Sequence, residues 1–420
     1  MTLSPMQLYG RDWIEQLLQS YPAELLAQPQ RQQAIARLSE LGIPTRRDEA
    51  WKYTDMSELL ARPTHAPAWV ETEPCQPLAD DLCTWPEAVA QMVLVNGRYC
   101  PNLSKLAALP AGIQIETVIE APLSIAQPDA WLLLNAACRP ETLVLKVSGV
   151  IEQPVHVLCL THAPNSDIAS HAHIQVIASP NSQLTLIEEH RSSQPTAHLS
   201  NTLVEIQMGA NAGFVHLLLQ GASEASYGLN HTAIDQARDS RYTNHTFQGG
   251  SALTRHSQEI LQSGSHAQTD LYELAILTGS QQADTYAIID HQASEGSSRQ
   301  EHKCVADDQS RGTFNSTLRV RQVAQHTDAS QSSRNLILSD KARIYTRPQL
   351  EIVADDVKCA HGATVSQLDD EEVFYLQSRG LDRNSACDLL VEGFAAEIID
   401  QLPIAEQRQT LLNAVLSQIR

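Results

Sequence analysis

Aromatic residues are scarce in this sequence, only 5% of 420 residues. A core with so few rings must be filled by Leu, Ile, Val and Ala. Positive charge is also short: 29 Lys and Arg stand against 49 Asp and Glu, for a formal net charge of −20. That balance argues against nucleic acid and an anionic membrane face as main partners, because both need a basic surface, though it leaves room for a local basic patch. No apolar run reaches the roughly 18 residues of a transmembrane helix. The opening MTLSPMQLYGRDWIEQLL lacks the basic and then apolar segments of a signal peptide. Cys75, Cys83, Cys100, Cys138, Cys159, Cys304, Cys359 and Cys387 include no C-x-x-C pair. They are expected to be reduced thiols in a cytoplasmic protein. Phosphate-cradling G-x-x-x-x-G-K-[ST], G-x-G-x-x-G, H-E-x-x-H and G-x-S-x-G are all missing, so none of those chemistries is indicated.

What is present is a chain able to bury a core, with 42% hydrophobic and 19% charged residues. Ala34, Leu38 and Leu41, with Ile35 beside them, form one apolar helix face between Pro29 and Gly42. Pro suits the first helical turn and Gly the position past the end. A segment dense in charge and aromatics follows, Arg46-Arg47-Asp48-Glu49-Ala50-Trp51-Lys52-Tyr53. It reads best as a structural clasp in which the rings pack and the charges pair around them. From Arg62 to Pro86 prolines recur, predicting an irregular crossing.

Near residue 140 the pattern changes to short apolar runs such as Leu143–Val147, Val155–Leu158, Ile174–Ile177, Leu184–Ile187 and Leu203–Ile206. Turn residues separate them, so strands of about four to six residues are expected. Punctuation recurs at Asn181 and Asn211, 30 apart, and again at Gly250, Gly279, Asp308 and Asp340, spaced 29, 29 and 32 residues. Such a period suits stacked coils, a β-solenoid of ~8 coils; a β-sandwich fits the pattern about equally. After residue 140 no Asn-Gly or Asp-Gly hairpin signal occurs, which favours the solenoid. The tail turns helical again. One stripe is Leu389, Leu390, Phe394, Ile398, Ile399 and Leu402, stopped by Pro403; a second runs from Ile404 to Ile419. This helix pair is expected to cap one end of the solenoid. Three units result: a helical and irregular domain over 1–135, a β-rich, solenoid-like core over 136–366 and a helical domain over 367–420.

Histidine pairs at i and i+2 share a strand face, among them His171 with His173, His302 with Cys304, and Cys359 with His361. Two ligands do not make a metal site. The first two pairs are expected to be surface or groove side chains on a polar solenoid face. The window from Arg347 to Thr364 differs, since it packs an apolar strand, Asp355-Asp356, Lys358, Cys359, His361 and Gly362 together. Adjacent thiolate and imidazole suit iron or iron–sulfur chemistry.

The segment PQLEIVADDVKCAHGATVSQLDDEEVFYLQSRGL resembles the signature of the SufB/SufD family, scaffold subunits of the Suf iron–sulfur cluster assembly complex. GIPTRRDEAWKYT is similar to an N-terminal stretch of the SufD branch of that family, and no SufB-type N-terminal cysteine motif occurs. The resemblance implies a right-handed parallel β-helix flanked by N- and C-terminal helical domains. It implies a non-catalytic scaffold that pairs with a SufB-like paralogue through the β-helix and recruits the ATPase SufC through the C-terminal helices. A homodimer of the isolated chain is compatible with it. The implied cargo is a nascent iron–sulfur cluster shared with SufB, with reduced flavin in the complex. His361 matches the family histidine that faces a SufB cysteine, and Cys359 is a possible auxiliary. Asp369, Asp370, Glu371 and Phe394 are the candidate ATPase-docking residues. The alternatives are a SufB-like homodimeric scaffold and a β-helix carbohydrate-active enzyme. The second is disfavoured by few aromatics and no clear carboxylate pair.

Overall fold

The structure, a computed structural model, describes residues 10–67, 85, 87–164, 167–404 and 408–409. Most of the proline-rich stretch from Arg62 to Pro86 and nearly all of the second tail stripe lie outside them.

Strands from Thr142–Val147 to Lys358–Ser366 alternate between two sheets. Pairing within each sheet is parallel, and each strand sits beside the strand two earlier and two later in the chain. That is a parallel β-solenoid. The sixteen strands make eight coils of two strands each. Three earlier strands extend the sheets at the N-terminal end: Ile113–Val118 completes the nine-stranded sheet, and Ala90–Val95 with Arg98–Tyr99 completes the ten-stranded one.

Most strands run eight to eleven residues, such as Ile168–Ala178 and Tyr227–Gln236, longer than the four to six expected. The apolar runs understate them because the interior is partly polar. In the nine-stranded sheet one interior column is an aliphatic ladder: Val176, Ile206, Ile234, Ile260, Ile289, Leu318 and Leu350. The neighbouring columns carry Thr232, His256, Gln258 and Thr285, hydrogen-bonded to interior residues of the facing sheet or to each other. The amide of Gln258 donates to Asn244 Oδ1 at 2.9 Å, and that of Gln248 donates to Thr285 Oγ1 at 3.1 Å. Burial pushes the Glu273 carboxyl up to about 7, although Thr285 and Gln248 both hydrogen-bond it. Buried polar groups are tolerated where such partners exist.

The coil has two corners, and the 30-residue punctuation mixes them. Asn181 and Asn211 lie on one corner, Gly250, Gly279 and Asp308 on the other. On the first corner the same left-handed position passes to Asp239, His266, Glu295 and His326, with φ between 57° and 61°. Asn and Asp enter that region most readily, so the motif fades where His and Glu replace them. Asn211 Nδ2 donates to Asn181 Oδ1 at 2.9 Å, stitching two coils together.

The N-terminal helices Arg11–Gln19, Pro29–Leu41 and Ala130–Cys138 lie on the outer face of the nine-stranded sheet. Trp13, Leu17, Leu38, Trp131 and Leu134 pack there with Ala169, Leu199, Tyr227, Leu229 and Leu253. Leu41, placed on the buried face from its spacing, is exposed because Gly42 ends the helix with φ 69°. The Arg46–Tyr53 segment is a clasp: Trp51 is buried beneath the Arg255 guanidinium, 4.0 Å from the ring centroid, and Arg255 pairs with Asp284. Tyr53 stacks on Tyr345 at 4.5 Å, and Glu49 pairs with Arg347.

The first helix of the expected cap is not on the coil end; the second lies almost wholly outside the described residues. Helix Arg383–Ile399 lies along the outer face of the ten-stranded sheet, where Val391, Ala395, Ile398 and Ile399 pack on Leu217, Leu274, Ile276 and Val305. Leu389 is exposed instead. The coils present an apolar patch on that flank, and the helix buries it.

Candidate functional site at the terminal coil

Because the helix goes to the flank, the last coil has no cover among the described residues. Strand Arg343–Ile352 ends the nine-stranded sheet and Lys358–Ser366 ends the ten-stranded sheet. Their residues are mostly exposed or half-buried, whereas the preceding coils are mostly buried. Each edge offers unpaired backbone donors and acceptors. Pro348 sits in the first of these strands, paired on one side only. A proline is confined to such edges because it has no N–H for a ladder. The second edge carries no proline and has Gly362, where an added Cβ would meet nothing within 4 Å.

Cys359 and His361 lie on that second strand. Cys359 is in register with Ala329, and His361 with Gln331 and, one coil further, Gln300. These are interior columns: Gln331 donates to Ser316 Oγ at 2.8 Å inside the solenoid. Cys359 packs against the interior core, half-buried, and burial pushes its thiol up. His361 is exposed. The two side chains therefore stand on one face at the open mouth of the solenoid. Asp355 and Asp356 lie on the adjoining corner, with Asp356 3.1 Å from His326 Nδ1. An exposed imidazole beside a half-buried thiol can ligate a soft metal ion once a partner brings further ligands; alone they are too few.

The other site residues fall elsewhere. Asp369 caps the Asp370–Ser378 helix, accepting from Glu371 N at 2.8 Å, and Asp370 pairs with Arg383 at 3.1 Å. Glu371 is exposed. Phe394 is half-buried on the solenoid flank, its carbonyl accepting from Lys303 Nζ at 2.7 Å and its ring 4.2 Å from that ammonium. It holds the helix down and is not a free surface. On the described C-terminal helices the exposed rings are Phe374, at 71%, and Tyr375, which the spacing argument did not single out. Their signal was local: two aromatics directly after an acidic helix start in a chain poor in rings.

The two remaining pairs are not on the surface. His171 and His173 are buried beneath the N-terminal helices. His173 Nε2 is 2.9 Å from Glu205, and its Nδ1 is 2.8 Å from Thr142 Oγ1. His302 is buried against the Phe314 ring at 4.5 Å. Cys304 fills the space opposite Gly312, where a Cβ would come within 2.6 Å of its sulfur. Burial beneath helices and in the interior is set by tertiary packing, which strand alternation cannot report.

A β-solenoid with one finished and one unfinished end is the class that fold and site define. Family profiles agree with it. The SUF system FeS cluster assembly SufBD core domain matches residues 160–394, and the SufBD N-terminal region matches 6–129. The chain belongs to the SufBD family of iron–sulfur cluster assembly proteins. It is 34% identical to a SufBD family protein of Synechocystis over 96% of this chain and 93% of that one. To the iron–sulfur cluster assembly protein SufD of Escherichia coli it is 31% identical over 91% of each chain. It is 26% identical to the chloroplastic protein ABCI7 of Arabidopsis thaliana over 97% of this chain and 91% of that one. No described helix is long and apolar enough to cross a membrane.

Proposed function

We propose that this chain is a non-catalytic scaffold subunit that works in the cytoplasm and joins a SufB-like paralogue through the terminal coil. The observation that carries this is the open edge of Lys358–Ser366, with Cys359 and His361 on one face. A partner strand added there extends the ladder and brings its own side chains beside His361. The nascent iron–sulfur cluster is the cargo, held between His361 and thiolates of the partner. Reduced flavin belongs to the same reading as a component of the assembled complex, and no residue of this chain is assigned to it. A SufC-like ATPase docks on the C-terminal helices, where Phe374, Tyr375 and Leu389 stay exposed above Asp369, Asp370 and Glu371.

The test is His361→Ala in the complex co-expressed with the SufB-like and SufC-like subunits without oxygen. Assembly and ATPase recruitment should persist while iron and acid-labile sulfide fall at least tenfold. Unchanged iron and sulfide overturn the reading. A complex that no longer forms recasts His361 as an interface residue without a cluster role. A homodimer from the chain expressed alone, dissociating when the paralogue is added, supports the shared edge.

A further inference from the structure

At the other end of the solenoid, a second group of ligating side chains lies inside the coils. Cys159 is on Val155–Thr161 and faces His190 in register on the neighbouring strand Gln183–Ser192. Glu188 stands two residues before His190, so alternation puts all three on the interior face. One ligating atom from each lies within 4.8 Å of the others. All three are buried: Cys159 is 7% exposed, Glu188 1% and His190 6%.

The polar atoms around them are unevenly satisfied. Nε2 of His190 is 2.6 Å from one Glu188 oxygen, and the other oxygen is 2.9 Å from Nε2 of His216. His216 is in turn held by Tyr242 at 3.1 Å. Nδ1 of His190 has no hydrogen-bond partner among the described residues, and neither do Oε1 and Nε2 of Gln220. Gln220 is the next residue in the same column as Cys159 and His190. Between them lies a cavity of ≈ 10 Å³, also lined by Asn230 and reaching Gly221 at the corner. That is room for about one water-sized group. Buried polar atoms without partners are rare in folded proteins and point to a missing ion or water.

We propose that Cys159, His190 and Glu188 form a metal site inside the solenoid for one divalent transition-metal ion of the Fe²⁺ or Zn²⁺ type, the ion taking the place of the proton between Nε2 of His190 and the Glu188 carboxylate while Nδ1 of His190 faces the adjoining cavity. Thiolate, imidazole and carboxylate are the ligand set such ions take, and Gln220 stands where a fourth ligand is needed. Charge favours occupancy. The ion displaces the thiol proton to solvent, and two anionic ligands then balance two positive charges in a dry interior. The contact of Glu188 with His216, itself held by Tyr242, orients the carboxylate from behind, as outer partners of metal ligands do. The site is in the first two coils and does not depend on the terminal-coil reading, because His361 lies in the eighth.

The full chain, stripped with a chelator and kept without oxygen, is titrated with Co²⁺. One equivalent should bind with a thiolate-to-cobalt charge-transfer band. Cys159→Ser should abolish the band, and His190→Gln should weaken Co²⁺ binding at least tenfold. Cys304→Ser and Cys359→Ser should leave both unchanged, which separates this site from the terminal coil. X-ray absorption of the cobalt-loaded wild type should show one sulfur among nitrogen and oxygen neighbours, a readout that stands even if Cys159→Ser does not fold. No stoichiometric uptake, a metal shell without sulfur, or a band lost in Cys359→Ser overturns the proposal. Wild-type protein that takes up no metal marks the cavity as a water site.

Discussion

The two ends of the solenoid are built from the same columns and finished differently. At the N-terminal end the nine-stranded sheet closes on Ile113–Val118, antiparallel to Thr142–Val147, and the ten-stranded sheet closes on the antiparallel pair Ala90–Val95 and Arg98–Tyr99. Reversing strand direction there ends the stack. At the C-terminal end the parallel order simply stops, and Lys358–Ser366 is left largely exposed. One aliphatic column shows the contrast: Ile260 is fully buried, while Leu350, the last rung, is only partly so. A repeat that buries itself only against neighbours must either be closed by the chain or be completed by another one. This chain does the first at one end, and at the other its last strands are left without cover among the described residues.

Acid should separate the ends most strongly. The closed coils and their helical cover bury neutral histidines: burial holds His171, His256 and His302 down at about 3. Unfolded histidines take up protons from about pH 6.5. As pH falls through that value the unfolded chain gains protons that the folded chain refuses, so stability is lost between about 6.5 and 3. At pH 5 each of the three costs about 2 kcal/mol. Glu273 acts with the opposite sign, since its raised carboxyl is protonated first in the folded state; it returns about 2 kcal/mol between pH 7 and 5. Urea unfolding at pH 7 and pH 5 should show the net loss, and His256→Gln should remove about one histidine's share. A stability independent of pH over that range contradicts the buried neutral histidines.

Truncating the column comes next. Ile260→Ala should cost about 3–4 kcal/mol, because a closed coil cannot collapse into the space. Leu350→Ala should cost about 1 kcal/mol, since the open coil has already left its side chain partly in water. Equal losses in urea midpoint would mean that the terminal coil is as closed as the rest. The smallest effect on folding is Val365→Lys, on the exposed edge. It should change stability by less than about 0.5 kcal/mol yet block strand addition by a SufB-like partner in co-purification. A complex that forms normally would move the interface away from this edge.

Some of this was set by the chain alone. The 30-residue period, the helical ends and Gly42 as a helix stop follow from local rules, because Asn, Gly and Pro act within a few residues of themselves. Cys359 and His361 were placed on one face by alternation alone. Other features needed the fold. Strand lengths were underread because Thr232, His256 and Gln258 look like surface residues until the coil interior satisfies them, His256 bonding to Thr232 and Gln258, and Gln258 to Asn244 of the facing sheet. His171 and His173 looked exposed until the N-terminal helices, two of them more than a hundred residues earlier, covered them. The Cys159, Glu188 and His190 group exists only through register between neighbouring coils. The tail's position on the flank, and with it the open mouth beside His361, was decided by which apolar surface the coils left uncovered. Local sequence specifies backbone preference and side-chain face; burial and proximity are sums over contacts between distant segments, and those exist only once the coils are stacked.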